Sequence, residues 1–279
     1  MGNYKVIKGT FHVKGYSPDG DSIRFRAENE SHWDFFKWSG NKKRPKNVQL
    51  RIEAIDALET HYEGYSQPAA FALAALETML EFLNIKIKSY NLSFTKITDA
   101  QDGAPGFIAS SEVDGFDRPI SFAFTDKVDL KDGAELSPDK LPVKSSFNYK
   151  LAKEGLAYPC FYYGLDISIL KEFQKTVKTA RDARRGIWAI DRTKGFTFWH
   201  PKTIREDVII LPKLFRRLIS FIESKSSIDE LQAYLKDTGD YLRIIGNPEQ
   251  TRLDKLIVIS NNHISLNTDL EQIEFRPKN

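Results

Sequence analysis

The chain has 279 residues, of which 41% are hydrophobic and 28% are charged, and its 41 Lys and Arg residues against 38 Asp and Glu residues give a formal net charge of +3. This composition excludes a disordered chain, and the length predicts one large domain or a main domain with a smaller one. A single cysteine, Cys160, excludes an internal disulfide and a cysteine-based zinc site.

Two features of the sequence bear on its location. No apolar run reaches the roughly 18 to 20 residues that a membrane-spanning helix needs. No signal peptide follows Met1. We therefore expect no membrane partner and a cytoplasmic protein, or a secreted one if an export signal has been removed.

The first 53 residues predict strands interrupted by an insertion. Alternation over residues 4 to 16 and again over 22 to 26 predicts two strands, with a hairpin turn at Asp19-Gly20. Residues 27 to 47 have no period and predict a long insertion, which carries Trp33, Phe35, Phe36 and Trp38 and ends in the basic run Lys42-Lys43-Arg44-Pro45-Lys46. That run predicts an exposed loop, either a solvated turn or an arm that contacts phosphate.

The next strand separates a core face from a polar face. Alternation over residues 48 to 53 sends Val48, Leu50 and Ile52 inward and leaves Arg51 on the opposite face. Further along the chain, composition and periodicity predict a helix over residues 66 to 83, strands over 84 to 98, 107 to 109 and 119 to 124, a helix over 145 to 153 that ends at Gly155, and a helix from Asp166 or Ser168 to Arg184.

The last third of the chain predicts a small separate α+β unit. Residues 191 to 195 have the character of a linker, so we expect domains over residues 1 to 193 and 194 to 279 and expect the first to fold without the second. The second unit predicts a helix over 212 to 223, another helix from Ser227, and a hairpin at Asn261-Asn262. On the first of these helices, Lys213, Arg216 and Arg217 form either a phosphate-facing surface or a solvated face.

Acidic residues and an arginine follow two of the predicted strands. Asp19 and Asp21 lie at one turn, while Arg51, Asp56 and Glu59 leave another strand. Oxygen ligands without His or Cys suit a hard cation such as calcium or magnesium. An arginine beside such a cation favours phosphate, because the planar guanidinium matches two phosphate oxygens.

Five segments occur in the order typical of one family. They are Asp19-Gly20-Asp21-Ser22, Leu50-Arg51-Ile52 followed by Asp56 and Glu59-Thr60, Asp117-Arg118-Pro119-Ile120, Leu151-Ala152-Lys153-Glu154-Gly155-Leu156-Ala157, and Ala183-Arg184-Arg185-Gly186-Ile187-Trp188. In these segments the chain resembles the thermonuclease (micrococcal nuclease-like) family over about residues 4 to 190. The resemblance implies an α+β fold, namely an OB-fold with a five-stranded β-barrel and three helices, to which the small C-terminal α+β domain is added.

The resemblance also implies roles for individual residues. Asp21, Asp56 and the carbonyl oxygen of Ala57 would be the calcium ligands. Glu59 would orient or deprotonate the attacking water, and Arg51 and Arg118 would bind the scissile phosphate. These last three residues would form the catalytic set.

Aromatic residues would line the nucleotide pocket implied by the resemblance. Phe116 stands where the family has a tyrosine that faces the nucleotide, and Phe161 and Tyr163 occupy the two aromatic positions after Gly155. Asp117 stands beside Arg118 where the family favours glycine, so we expect Asp117 to pair with Arg118 and to compete with phosphate.

The resemblance therefore implies a nuclease. We expect a calcium-dependent hydrolase, an endonuclease or exonuclease that cleaves phosphodiester bonds of DNA and also of RNA with low sequence specificity. The alternative is a non-catalytic nucleic-acid-binding OB-fold module. A third interpretation is a scaffold whose C-terminal domain binds a protein partner.

Overall fold

The computed structural model describes residues 2–39, 46–92, 96–224 and 227–277. The strands are β1 (Tyr4–His12), β2 (Ser22–Ala27), β3 (Val48–Ile52), β4 (Ile55–Ala57), β5 (Ile87–Tyr90), β6 (Ile97–Ala100), β7 (Ala104–Val113), β8 (Pro119–Thr125), β9 (Glu135–Leu136), β10 (Ala157–Pro159), β11 (Phe161–Tyr162), β12 (Phe196–Thr197), β13 (Tyr241–Ile244), β14 (Gln250–Arg252), β15 (Ile257–Ser260), β16 (His263–Leu266) and β17 (Ile273–Phe275). The α-helices are α1 (Ala69–Phe82), α2 (Phe147–Glu154), α3 (Ile167–Asp182), α4 (Pro212–Glu223), α5 (Leu231–Asp237) and α6 (Leu253–Leu256).

Five strands close into a barrel. β1 pairs antiparallel with both β2 and β7, β2 pairs with β3, and β8 pairs antiparallel with β7 and parallel with β3. The order β1-β2-β3-β8-β7 returns to β1, so every barrel strand has a partner on each side. The predicted five-stranded barrel within a mixed α+β fold is confirmed.

The predicted alternation of inward and outward residues along β3 is present in the barrel. Val48, Leu50 and Ile52 are buried, whereas Arg51 on the opposite face is half-buried. The side chain of Asn148 on α2 ties that helix to the barrel, because it accepts a hydrogen bond from the backbone of Ala123 at 3.1 Å and donates to the backbone carbonyl of Ser121 at 3.0 Å. The barrel and its helices therefore share one apolar core.

The long insertion between β2 and β3 is locally packed. Residues Glu30–Phe35 form a short 3-10 helix. Trp33 is fully buried, and its ring meets Phe25 of β2 edge-on at 6.4 Å between ring centroids. Of the predicted basic loop, Lys42, Lys43, Arg44 and Pro45 lie outside the described residues, and Lys46 is exposed.

The strand predicted over residues 84 to 98 is instead a hairpin. β5 and β6 pair antiparallel. The backbone N–H of Asn91 donates to the carbonyl of Lys96 at 2.8 Å, and the Asn91 side chain accepts from the Lys96 N–H at 2.9 Å. Asparagine stabilises turns in this way. The prediction of a single strand rests on the apolar residues on both sides of Asn91 and does not take this turn former into account. Phe94, which belonged to the predicted strand, lies outside the described residues.

The predicted linker at residues 191 to 195 is a packed segment. Asp191 accepts a hydrogen bond from the hydroxyl of Tyr158 at 2.6 Å. Thr193 is buried, and its hydroxyl accepts from the backbone N–H of Leu211 at 2.9 Å. These contacts join residues 191 and 193 to Tyr158 of β10 and to Leu211, which directly precedes α4.

The C-terminal residues form two small sheets. β17 pairs parallel with β11 and antiparallel with β13, and β16 pairs with β12 and β15. The helix predicted over residues 212 to 223 and the hairpin at Asn261-Asn262 are both present. The division at residue 193 stays a prediction. Among the described residues, the helices are too short or too polar to cross a bilayer.

Candidate functional site

Three carboxylates predicted to act together lie at one end of the barrel. Asp21 directly precedes β2, Asp56 is in the middle of β4, and Glu59 follows β4 by two residues. Gly20 brings the first of these turns close to its neighbours, because a Cβ at this position would lie 2.4 Å from the Cβ of Ala75 on α1 and 2.8 Å from that of Ala57. The absence of a side chain at residue 20 therefore lets the turn bearing Asp21 pack beside β4.

A hydrogen bond and burial fix Asp21 in this position. Its Oδ2 accepts from the backbone N–H of Ala57 at 3.2 Å. Burial, followed by repulsion from Asp19, Asp56 and Glu59, raises the pKa of Asp21 well above its usual value. The structure thus brings together the three carboxylates that the resemblance selected.

Glu59 is poised for protonation near neutral pH. Burial raises the pKa of Glu59 to about 7, an effect that Arg216 opposes and Asp56 reinforces. The backbone N–H of Glu59 donates to Oε1 of the buried Gln67 at 3.1 Å, which holds the loop after β4 in place.

An arginine from the C-terminal residues enters this carboxylate cluster. Arg216 of α4 donates from Nη2 to Oδ2 of Asp56 at 2.9 Å and from Nη1 to Oδ1 of the same carboxylate at 3.2 Å. Its Nη1 also donates to Oε1 of Glu59. The side chain of Arg216 is 25% exposed, against 8% for Asp56 and 15% for Glu59. This two-bond ion pair neutralises part of the charge of the cluster.

Several contacts hold α4 along the loop that carries Glu59. Tyr62 and Tyr65 reach the helix, with the hydroxyl of Tyr62 3.2 Å from that of Ser220 and the hydroxyl of Tyr65 donating to Glu223 at 2.7 Å. Gln67 donates to the backbone carbonyl of Ile210, just before α4, at 2.8 Å. The position of Arg216 is therefore fixed by a whole interface rather than by its ion pair alone.

The carboxylate cluster in this arrangement does not fit a calcium ion. Its oxygen donors are of the kind calcium prefers, but both oxygens of Asp56 and one of Glu59 already accept from Arg216. Within residues 2–39, 46–92, 96–224 and 227–277, no three His, Cys, Asp or Glu side chains are arranged to hold a metal. Ala57 lies in β4 opposite Ala157 of β10.

Arg51 lies beside the cluster under an aromatic ring. Its guanidinium carbon is 4.2 Å from the ring centroid of Tyr162, a cation–π contact that orients the side chain. Glu53, two residues along the strand, is buried. Burial raises the pKa of Glu53 to about 7, and Arg51 partly offsets this. The sequence predicts a nucleotide contact for the neighbours Phe161 and Tyr163 but gives no role to Tyr162.

Arg118 is held by a different acid from the one expected. Its Nε and Nη2 donate to Oδ2 of Asp114 at 2.8 and 2.7 Å. Asp117, the predicted partner, instead accepts from the backbone N–H of Ser39 at 2.8 Å and from its hydroxyl at 2.6 Å. The backbone explains the difference, because Asp117 has φ 58° at the tip of a turn whose N–H groups Asp114 caps.

A cleft opens on the barrel face formed by β2, β3 and β8. Its volume is about 470 Å³, and it is lined by Arg24, Val48, Gln49, Phe116, Asp117 and Arg118. Phe116 is 84% exposed, and the guanidinium carbon of Arg118 lies 5.6 Å from its ring centroid. A cleft lined by an exposed aromatic ring and two arginines can stack a base and contact phosphate.

The two other predicted aromatic contacts are placed differently. Phe161 is fully buried in β11, opposite Glu274 of β17, so its ring belongs to the core and is not available to a nucleotide. Tyr163 is half-buried, and its ring lies 4.6 Å from the guanidinium carbon of Arg243 on β13. Only Phe116 of the predicted three presents an open face.

The helix bearing Lys213, Arg216 and Arg217 is neither a phosphate-facing surface nor a solvated face. Lys213 is buried over the ring of Phe275, with 4.6 Å from Nζ to the ring centroid. Arg217 donates to both oxygens of Asp240 at 2.6 and 2.9 Å. The sequence carries a sign of this burial, because these cations alternate with apolar residues. An amphipathic helix that carries cations near its apolar stripe often buries them against acids.

Comparisons with known proteins do not assign a family to this chain. No protein-family model matches the chain, and no curated protein matches it closely. The resemblance to the thermonuclease family consequently rests on the five sequence segments themselves.

Proposed function

We propose that this chain binds nucleic acid on the barrel face formed by β2, β3 and β8. The observation that carries the proposal is the cleft that the exposed ring of Phe116 lines together with Arg24 and Arg118. The strand order, with β3 and β8 parallel and the other pairs antiparallel, supports identifying the barrel as an OB-fold. OB-folds bind oligonucleotides on the face of their second and third strands, which is the face that carries this cleft.

The chemistry of the cleft favours single strands. A base can stack on Phe116 only when its own face is free, which requires an unpaired base. Asp114 holds the Arg118 guanidinium in place before any ligand arrives, so little side-chain entropy is lost on phosphate contact. Arg24 is similarly ordered, with its guanidinium carbon 4.9 Å from the ring centroid of Tyr16.

Fluorescence anisotropy with labelled oligonucleotides tests this proposal. We expect single-stranded DNA or RNA to bind more tightly than duplex of the same length. Phe116→Ala should weaken binding by about 5- to 150-fold, since stacking of one base contributes about 1 to 3 kcal/mol. Trp199→Ala is the matched control, because Trp199 is also highly exposed but lies outside the cleft. Equal affinity of wild type and Phe116→Ala would exclude the cleft as the binding site.

Phosphodiester hydrolysis is a second candidate function. The observation in its favour is that Asp21, Asp56 and Glu59 interact with one another and that Arg51 lies within electrostatic reach of Asp56. Glu59 could orient or deprotonate a water and Arg51 could stabilise charge on the phosphoryl oxygens.

A fluorogenic nuclease assay on separate DNA and RNA substrates, with calcium, with magnesium and with chelator, tests hydrolysis. Glu59→Gln should lower any turnover by about 10² or more if Glu59 is the base. His61→Gln is a suitable control, because His61 is exposed in the same loop. Turnover that is equal in Glu59→Gln and wild type would remove Glu59 from the mechanism. No turnover in any of the three conditions would leave binding as the function.

We further propose that residues 194 to 279 are an accessory α+β domain. It contacts the preceding residues directly, because Arg216 binds Asp56 and Arg243 lies against the ring of Tyr163. A protein partner for this domain stays a prediction.

A further inference from the structure

Arg216 contacts the two carboxylates at distances that leave no room for a cation between them. The nitrogen–oxygen distances to Asp56 are 2.9 and 3.2 Å, which is direct hydrogen-bond contact. Calcium binds carboxylate oxygens at about 2.3 to 2.6 Å and needs them to face the ion. A calcium ion could therefore reach Asp56 and Glu59 only if the guanidinium left.

The rest of α4 opposes such a departure. Leu214, Phe215, Leu218 and Ile219 of the helix are buried. The hydrogen bonds from Tyr62 and Tyr65 anchor the C-terminal half of the helix to the loop after β4. Withdrawal of Arg216 by movement of the helix would expose apolar surface and break these bonds together, so the guanidinium is part of the folded structure.

We propose that Arg216 takes the place of a divalent cation in the carboxylate cluster, so that the protein supplies this positive charge itself and excludes calcium from Asp56 and Glu59. The cation comes from outside the segment that resembles the nuclease family. The inference goes beyond nucleic-acid binding and does not depend on it, because the cleft on the β2, β3 and β8 face is a separate place. If this proposal is correct, the unmodified chain does not catalyse calcium-dependent hydrolysis at this carboxylate cluster.

Thermal melts of the full chain with calcium or with chelator test the proposal. We expect the melting temperature of wild type to be the same in both conditions. In Arg216→Gln the carboxylates lose their internal cation, and calcium at 100 times its dissociation constant should raise the melting temperature by roughly 5 to 10 °C. Isothermal titration of calcium into the same proteins should give heat only with Arg216→Gln.

Arg217→Gln is the matched control on the same helix. It removes an arginine that pairs with the buried Asp240, so it should lower stability without producing a calcium response. Arg216→Lys keeps a positive charge and should remain insensitive to calcium. A calcium-dependent rise in wild type that disappears in Asp56→Asn would overturn the proposal. So would a folded Arg216→Gln that shows no response to calcium. If Arg216→Gln does not fold, the wild-type and Asp56→Asn melts still decide the question.

Discussion

Arg216 and Asp56 are 160 positions apart in the sequence, yet they share two hydrogen bonds at the end of the barrel. The carboxylate is almost fully buried and the guanidinium is three-quarters buried. Each charged group therefore interacts with the other in place of the water that it lost on folding.

The first prediction concerns the strength of this pair. Asp56→Asn and Arg216→Gln should each lower the free energy of unfolding by about 3 kcal/mol, because Arg216→Gln leaves the buried Asp56 without its cation and Asp56→Asn leaves Arg216 with Glu59 alone. The double variant should be more stable than the sum of the single losses predicts, with a coupling energy of about 1 to 3 kcal/mol. Urea denaturation of the four proteins measures this cycle.

The corresponding cycle of Asp56→Asn with Arg217→Gln is the control. Arg217 pairs with Asp240 rather than with the cluster, so the two losses should add to within about 0.5 kcal/mol. Strict additivity in the Arg216 cycle as well would show that the ion pair contributes no net coupling.

The second prediction concerns pH. The pKa of Glu59 is raised from an ordinary value of 4.5 to about 7, so between these values the folded protein binds this proton and the unfolded chain does not. The unfolded state then holds fewer protons, and stability falls as pH rises through this window. The loss from Glu59 should be about 2 to 4 kcal/mol between pH 4.5 and 7.

Glu59→Gln isolates this effect from other groups, including Glu53, that titrate in the same range. Near pH 4.5 the variant and the wild type should have similar stability, because the protonated carboxyl and the amide are alike in shape and charge. At pH 8 the variant should be the more stable of the two in urea unfolding. A constant difference between the two proteins from pH 4.5 to pH 8 would show that Glu59 ionises normally.

The third prediction concerns the turn before Asp21. Gly20→Ala places a methyl group 2.4 Å from the Cβ of Ala75 and 2.8 Å from that of Ala57. The turn must shift away from α1 and β4, at a cost of about 1 to 3 kcal/mol in the free energy of unfolding. Gly2→Ala, where no atom lies within 4 Å of the added group, should be neutral. Equal stability of both variants would mean that the turn is free to move.

The fourth prediction concerns truncation after residue 193. The contacts reverse the expectation that the first unit folds alone, because β11 would lose β17 and Asp56 would lose Arg216. Thr193 would also lose its contact with Leu211. We expect the fragment of residues 1 to 193 to be aggregated or to unfold without cooperativity, as judged by size-exclusion chromatography and thermal melts. A soluble fragment with a sharp transition would establish an independent domain.

Much of the fold could be predicted from local patterns. Alternation predicts the barrel strands β1, β2 and β3, and the helix predicted over residues 212 to 223 agrees with α4 at both ends. Strand periodicity and helix stripes are local properties, so a single sequence carries them. The hairpin of β5 and β6 differs from the predicted single strand because apolar residues recur on both sides of its turn and continue the pattern of one strand.

The candidate site could be predicted only in part, for a physical reason. Asp21, Asp56 and Glu59 are neighbours, as the resemblance implies, because the turn before β2 packs beside β4 and the loop that follows it. The partners of those residues could not be predicted, because pairing between distant segments depends on how they pack and not on spacing along the chain. Nothing in the sequence near Arg216 indicates its pairing with Asp56, whereas Asp114 lies only four residues before Arg118 and its pairing depends on the shape of the turn between them.

The pairing of β11 with β17 has a consequence for how the molecule is made. Tyr162 lies opposite Phe275, so a ribosome must add more than a hundred further residues before the earlier strand can find its partner. Until α4 also emerges from the exit tunnel, the carboxylates of a nascent barrel have no guanidinium beside them. Such long-range contacts slow folding. The pairing of β11 therefore waits for residues that are synthesised much later than the barrel strands.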